Sequence, residues 1–190
     1  QQRGTVPDDR VAELIAEIKN LPAKMQQTLD SVEDRVKAVA RAEHRGRFFL
    51  YLGRNIGLPV CLEGALKMKE ISYIASDAYA AGEMKHGPIA LLDESTPVVC
   101  VATDSPILDK VLSNMEEVRA RGADVIAIAT AGSGKAAAAS DLIIEVPRTD
   151  WVLQPIVAIL PLQLMAYHVA RMLGLNVDQP RNLAKTVTVE

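Results

Sequence analysis

Four short apolar runs, FFLYL, VVCVAT, VIAIAT and LIIEV, predict an α/β protein built on a doubly wound parallel sheet. None of them shows the polar alternation of a strand with one wet face, so each suits a strand buried on both sides. The stretches between them can hold crossover helices, and several carry apolar residues at helical spacing. The predicted architecture has three layers, with helices on both faces of the sheet. A helical lead-in over residues 1–45 precedes it.

In chain order, Asp8 and Asp9 suit the cap of a first helix whose stripe is Val11, Leu14, Ile15 and Ile18. Leu21-Pro22 is expected to interrupt it, because proline lacks the donor that a helix interior needs. A second, more charged helix is predicted over residues 24–43, with Met25, Leu29, Val32, Val36 and Val39 as its stripe. Neither helix carries a chemical pattern, and both read as a connector packed on a neighbouring domain or subunit. FFLYL opens the sheet, and the turn GRNIGLP leads into a helix with Pro59 near its start. A brief extended piece at Asp77 precedes the turn Lys85-His86-Gly87-Pro88. The strand from Pro97 is followed by a helix that Ser105-Pro106 opens and Gly122 closes, a residue suited to a C-terminal cap. After the strand from Asp124, AGSGKAAAAS reads as a surface loop, and LIIEV follows. A long helix is predicted over residues 151–173, with Pro155 in its first turns and Pro161 expected to kink it. The tail, residues 176–190, has no helical period. It reads either as a frayed terminus or as a docked extended segment, since Leu183, Val187 and Val189 are apolar enough to dock. The domain division expected is 1–45 connector, 46–175 α/β domain and 176–190 tail.

Composition narrows the function. The chain has 190 residues, of which 49% are hydrophobic and 24% charged, enough for one globular domain with a full core. A net charge of −3 leaves no basic footprint for nucleic acid. Cys61 and Cys100 both lie in apolar runs and have no metal spacing. They read as buried thiols of a reducing, cytoplasmic compartment. The apolar run over residues 151–172 contains Gln154, Gln163, His168, Arg171 and two prolines, and reads as too polar for a membrane span. The opening QQRGTVPDD, without a methionine, reads as a cut from a longer protein.

The chemistry concentrates in residues 62–88, LEGALKMKEISYIASDAYAAGEMKHGP. Glu63, Lys67 and Glu70 fall on one narrow face of a helix, about a turn apart. Leu62 and Leu66 flank that stripe on one side and Ile71 on the other, with Ala65 and Met68 behind. Carboxylates and an ammonium held partly out of water titrate as a coupled set, which acid/base work requires. An ordinary salt-bridge ladder on a surface helix is the alternative. His86 follows on a turn bounded by glycine and proline, and imidazole titrates near neutral pH.

Residues 62–91 together with the ending DQPRNLAKTVTVE resemble the isomerase region of the glucosamine-6-phosphate synthases (glutamine:fructose-6-phosphate aminotransferases). The resemblance extends from about Phe48 to the last residue, through two long motifs in the same order. It implies the sugar isomerase (SIS) fold, a flavodoxin-like layer that occurs there in two copies. It implies conversion of fructose 6-phosphate and glutamine-derived ammonia into glucosamine 6-phosphate, in a cytoplasmic homodimer, with no metal or organic cofactor. By that resemblance Glu70 moves the proton between C1 and C2 of the sugar, with Lys67 and Glu63 assisting. His86 opens the ring in the opposite subunit's site, and Lys185 forms a Schiff base with the open-chain ketose. Arg181 is the nearest cation in sequence that could lower the pKa of that lysine.

Departures from the family pattern define the rest. The family's phosphate is held by a Ser/Thr/Gly-rich turn in the first copy, whereas VATDSP here has an aspartate and a proline. Thr103 and Ser105 thus belong to a degenerate second copy. The upstream copy and the glutaminase domain are both missing, so the piece alone is expected to bind sugar phosphate weakly and release no ammonia. AGSGK fails as a phosphate loop: GxxxxGK would need glycine where Ala129 stands, and Ser or Thr where Ala136 stands. Two other readings stay open, a non-catalytic sugar-phosphate sensor and a phosphosugar isomerase that uses no ammonia.

Overall fold

The computed structural model describes residues 4–182. Helix α1 (Asp8–Glu43) leads into β1 (Phe48–Gly53), α2 (Gly57–Ser72) and β2 (Ala75–Ala80). Two short 3-10 turns, Ala81–His86 and Pro88–Leu91, connect to β3 (Pro97–Ala102). Then follow α3 (Leu108–Arg119), β4 (Asp124–Thr130), α4 (Gly134–Ala138), β5 (Leu142–Val146) and α5 (Gln154–Met172). The five strands form one parallel sheet in the order β2-β1-β3-β4-β5. That is the flavodoxin order, with its switch point between β1 and β3.

Each central strand is buried on both faces, and alternate residues feed two separate cores. Phe49, Tyr51, Val99 and Ile128 pack under α1, α2 and α5. Leu50, Leu52, Cys100 and Ala127 pack under α3, α4 and the first 3-10 turn, which contributes Met84. This is the period of two that a pleated strand imposes, with an apolar residue at every position because neither face meets water. Cys61 and Cys100 are free and buried, as expected. Burial pushes both thiols up, that of Cys100 to about 12, so neither is a nucleophile at neutral pH.

Several local expectations give way to tertiary packing. The two lead-in helices are one, continuous through Pro22. A proline inside a helix costs about 3 kcal/mol, and contacts around it offset that cost. Leu21 is buried, Lys24 Nζ reaches back 2.6 Å to Glu17 Oε2, and Glu17 accepts a 2.6 Å hydrogen bond from Thr149. Asp8 and Asp9 do not cap this helix; Pro7 is its N-cap, and the two aspartates lie in the first turn, where they complement the helix dipole. AGSGKAAAAS contains the short helix α4, whose buried Ala136 touches the second core. Helix α5 runs on through Pro161. By length and composition it could cross a membrane, yet half of it is buried inside the fold against α1, α2 and the sheet.

Candidate active site

Helix α2 packs Val60, Cys61, Gly64, Ala65, Met68 and Ser72 inward, spaced as a 3.6-residue period demands. Leu62 and Leu66 face outward, 52% and 43% exposed. Between these faces, on the shoulder of the helix, lie Glu63, Lys67 and Glu70, their side chains only 37%, 34% and 27% exposed. Lys67 Nζ donates a 2.6 Å hydrogen bond to Glu70 Oε2 and lies 3.7 Å from Glu63 Oε1. The hydrogen bond to Glu70 is the main cause that holds the Lys67 ammonium above its ordinary pKa, so it stays charged through neutral pH. The helix thus joins one central cation to two half-buried carboxylates. Glu63 also borders an apolar groove of about 500 Å³, shared with Met25 of α1 and with Ile156 and Ile159 of α5.

Glu70 borders a second cavity, of about 340 Å³, whose other walls are Lys69, Tyr73, Arg181 and Asn182. Tyr73 caps α2 with a left-handed backbone, φ 62°, its N–H donating to Lys69 O. Arg181 N–H donates to Tyr73 Oη at 2.8 Å, and the Arg181 guanidinium lies over the Tyr73 ring, 4.2 Å from its centroid. The C-terminal segment therefore starts beside Glu70. Lys185 lies outside the described residues. Arg181, expected as a cation acting on that lysine, has its guanidinium engaged on the tyrosine ring. Sequence reasoning missed Tyr73; its one local signal was its place just after the last periodic residue of α2.

His86 is not brought to the stripe within this chain. It ends the first 3-10 turn, 75% exposed, with Nε2 3.8 Å from Glu83 Oε2. Glu70 lies near the start of β2 and His86 beyond its end. Six strand residues, about 17 Å at a rise of ~3.3 Å, separate them. Gly87, at φ 142°, lets the chain turn directly after the histidine.

The ends of β3 and β4 are occupied by groups of this chain. Asp104 N–H donates to Thr130 Oγ1 at 2.9 Å, and Asp104 Oδ2 pairs with Arg148 at 2.6 Å. A carboxylate thus stands where the Thr103–Ser105 turn could have met an anion. At the AGSGK turn, Gly132 N–H donates to Glu145 Oε1 at 2.7 Å, which again puts a carboxylate on a backbone donor.

The SIS domain family model matches residues 44–173. Over 189 residues the chain is 49% identical to a glutamine--fructose-6-phosphate aminotransferase [isomerizing] of Thermosynechococcus vestitus, covering 100% of this chain and 30% of that protein. It is 51% identical over 188 residues to the protein of the same name from Thermus thermophilus, covering 99% and 31%. The chain thus spans about 30% of the length of the curated relatives it matches. Among solved structures, the C-terminal domain of glucosamine-fructose-6-phosphate aminotransferase from Francisella tularensis superposes with a TM-score of 0.86 at 36% identity. That match covers 92% of this chain and 49% of the other.

Proposed function

This chain belongs to the SIS domain family, and from that premise we propose that it is the second sugar isomerase copy of a glutamine:fructose-6-phosphate aminotransferase. In this reading residues 46–175 form the α/β domain, residues 1–45 connect it to an upstream copy that cradles the sugar phosphate, and residues 176–190 complete the site. A glutaminase domain supplies ammonia, and the protein works as a cytoplasmic homodimer.

Lys185 condenses with the C2 carbonyl of open-chain fructose 6-phosphate with loss of water, and ammonia then adds at C2 and releases the lysine amine, leaving the C2 imine. Glu70 then takes a proton from C1 and returns it to C2, which leaves an aldehyde at C1 and an amine at C2. A carboxylate is suited to this step when a fixed cation stabilises the enol-type intermediate beside it. Lys67, charged and 2.6 Å from Glu70, supplies that cation, and Glu63 shares its proton traffic. His86 opens the sugar ring, and its distance from Glu70 within one chain favours service in the partner subunit's site. Lys185 holds the ketose carbon as a Schiff base before ammonia displaces it.

The observation that carries this reading is the Glu63–Lys67–Glu70 stripe, whose Glu70 borders the cavity that Arg181 and Asn182 also line. The test is Glu70→Gln in the full-length protein. Glucosamine 6-phosphate formation is expected to fall by about two to four orders of magnitude, with folding and glutamine hydrolysis retained. Near wild-type product formation would remove Glu70 from the role.

A further inference from the structure

The direction in which His86 leaves the chain is set by the 3-10 turn that it ends, Ala81–His86. The hydrogen bonds of such a turn have poorer geometry than those of an α-helix, so its placement depends on what its side chains grip. Ala81 and Met84 are buried in the core beneath α3 and hold one side. The other side is held by polar contacts from distant parts of the chain. Arg54, just past the end of β1, donates its Nε–H to Asn114 Oδ1 of α3 at 2.9 Å. Its guanidinium lies over Gly82, where a Cβ would displace it. Asn114 is itself buried, and its Nδ2 donates to Glu117 Oε2 at 3.4 Å. Glu117 Oε1 pairs at 2.8 Å with Lys85, the residue before the histidine. That bond is the main cause holding the Glu117 carboxyl below its ordinary pKa. Both ends of the turn are thus tied to α3, Gly82 through Arg54 and Lys85 through Glu117.

We propose that Arg54 is a positioning residue: by bridging Gly82 and Asn114 it fixes the Ala81–His86 turn on α3, and with it the place that the His86 imidazole occupies. A guanidinium suits the task, because its plane covers a glycine backbone while its Nε–H donates sideways. A lysine at this position could make only one of the two contacts. The imidazole is 75% exposed and approaches only Glu83 of the same turn among the described ion pairs, so the turn alone aims it. A general acid or base must stand within hydrogen-bond reach of its proton, and a displacement of about 1 Å can cost about a hundredfold in rate. This rests on the reading of His86 as the group that opens the sugar ring. Arg54 also stands beside the switch point of the sheet, where a cation could meet a ligand directly, and that role would show in KM instead.

The test compares Arg54→Ala, Arg54→Lys, Asn114→Ala and His86→Ala in the full-length protein, together with the double variant Arg54→Ala, His86→Ala. The turn is read by amide hydrogen exchange of peptides covering residues 81–91, with peptides of β3 as the control. Function is read as kcat and KM for glucosamine 6-phosphate formation. Arg54→Ala is expected to speed exchange in the turn about tenfold or more and to leave β3 unchanged. It should lower kcat about ten- to a hundredfold, with KM for fructose 6-phosphate within about twofold of wild type. Asn114→Ala should move both readouts the same way, and Arg54→Lys should fall between Arg54→Ala and the wild type. In the His86→Ala background, loss of Arg54 should cost no more than about a further twofold, since nothing is left to position. Turn exchange unchanged in Arg54→Ala, or raised equally in β3, would overturn the tie to α3. A raised KM with unchanged kcat would make Arg54 a substrate ligand instead. Losses that multiply in the double variant would overturn positioning through His86. Wild-type activity in His86→Ala would overturn the reading of the histidine beneath it, while the exchange data would still show whether Arg54 holds the turn.

Discussion

Lys67 is bound to Glu70 at 2.6 Å but lies 3.7 Å from Glu63, so the cation at the centre of the α2 stripe is held asymmetrically, toward the tail cavity. An ordinary ladder of exposed pairs has no need of such bias. The pairing sets the Lys67 ammonium against the carboxylate that borders that cavity.

That distinction can be measured with Lys67→Met. As a surface ladder the pair is worth at most about 1 kcal/mol, so chemical denaturation should shift little. As the electrostatic partner of the base, its loss should cut turnover by about 10²–10³. Equal and small changes in both would return the stripe to a surface ladder. The raised pKa of Lys67 means that its contribution to stability is complete below pH 10.5 and is lost only as pH rises above that value.

His86 and Glu70 sit at opposite ends of β2, and mixing two inactive full-length variants tests whether they serve the same site. With His86→Ala and Glu70→Gln combined, a site that takes one residue from each chain is restored once in every mixed dimer. Random exchange then recovers about a quarter of wild-type activity. No recovery, with exchange confirmed independently, would put both residues in one chain's site.

Asp104, paired with Arg148 and with its N–H on Thr130, leaves the β3 turn poorly suited to phosphate. Calorimetric titration of the 190-residue chain with fructose 6-phosphate should give a Kd above about 1 mM, no more than about 4 kcal/mol of binding. Micromolar affinity would show a working phosphate cradle within this chain.

Gly53 ends β1 where the first turn of α2 crosses closely. A Cβ there would come 2.7 Å from Leu58 N and press on the Gly57 carbonyl, and backbone cannot swing aside. Gly53→Ala is expected to cost about 1–3 kcal/mol by overpacking, read from the urea midpoint. A midpoint within error of wild type would mean that the start of α2 is free to move.

His168 of α5 is buried against α1, with Nε2 3.3 Å from Glu33 Oε1 but misaligned for a hydrogen bond. Desolvation is the main cause that lowers its pKa below 6.5, and the nearby Lys37 adds to it, while Glu33 opposes. The unfolded chain therefore takes up the proton first, and stability is lost as pH falls below 6.5 toward the folded value. Compared with His168→Gln, the wild type should lose more stability between pH 7.5 and 5.5 in urea titrations. Parallel losses would show that the histidine does not carry the effect.

What the sequence determined by itself is what short-range periodicity encodes. Unbroken apolar runs marked the strands of a sheet covered on both faces, because a strand with one wet face must alternate. The spacing of Glu63, Lys67 and Glu70 already placed them on one side of a helix, since 3.6 residues make a turn. What only the tertiary structure decided depends on contacts between distant segments. Pro22 stays inside one helix because Leu21 is buried and Thr149 reaches Glu17 from across the chain. Residues 134–138 coil because Ala136 has a core to enter. The length of β2 keeps His86 away from Glu70, and no local pattern near either residue records that distance. Tyr73 and Arg181 meet only because the chain turns after α5 and returns over the end of α2. A left-handed tyrosine at a helix end is unfavourable locally, and its hydrogen bond and ring contact come from another segment.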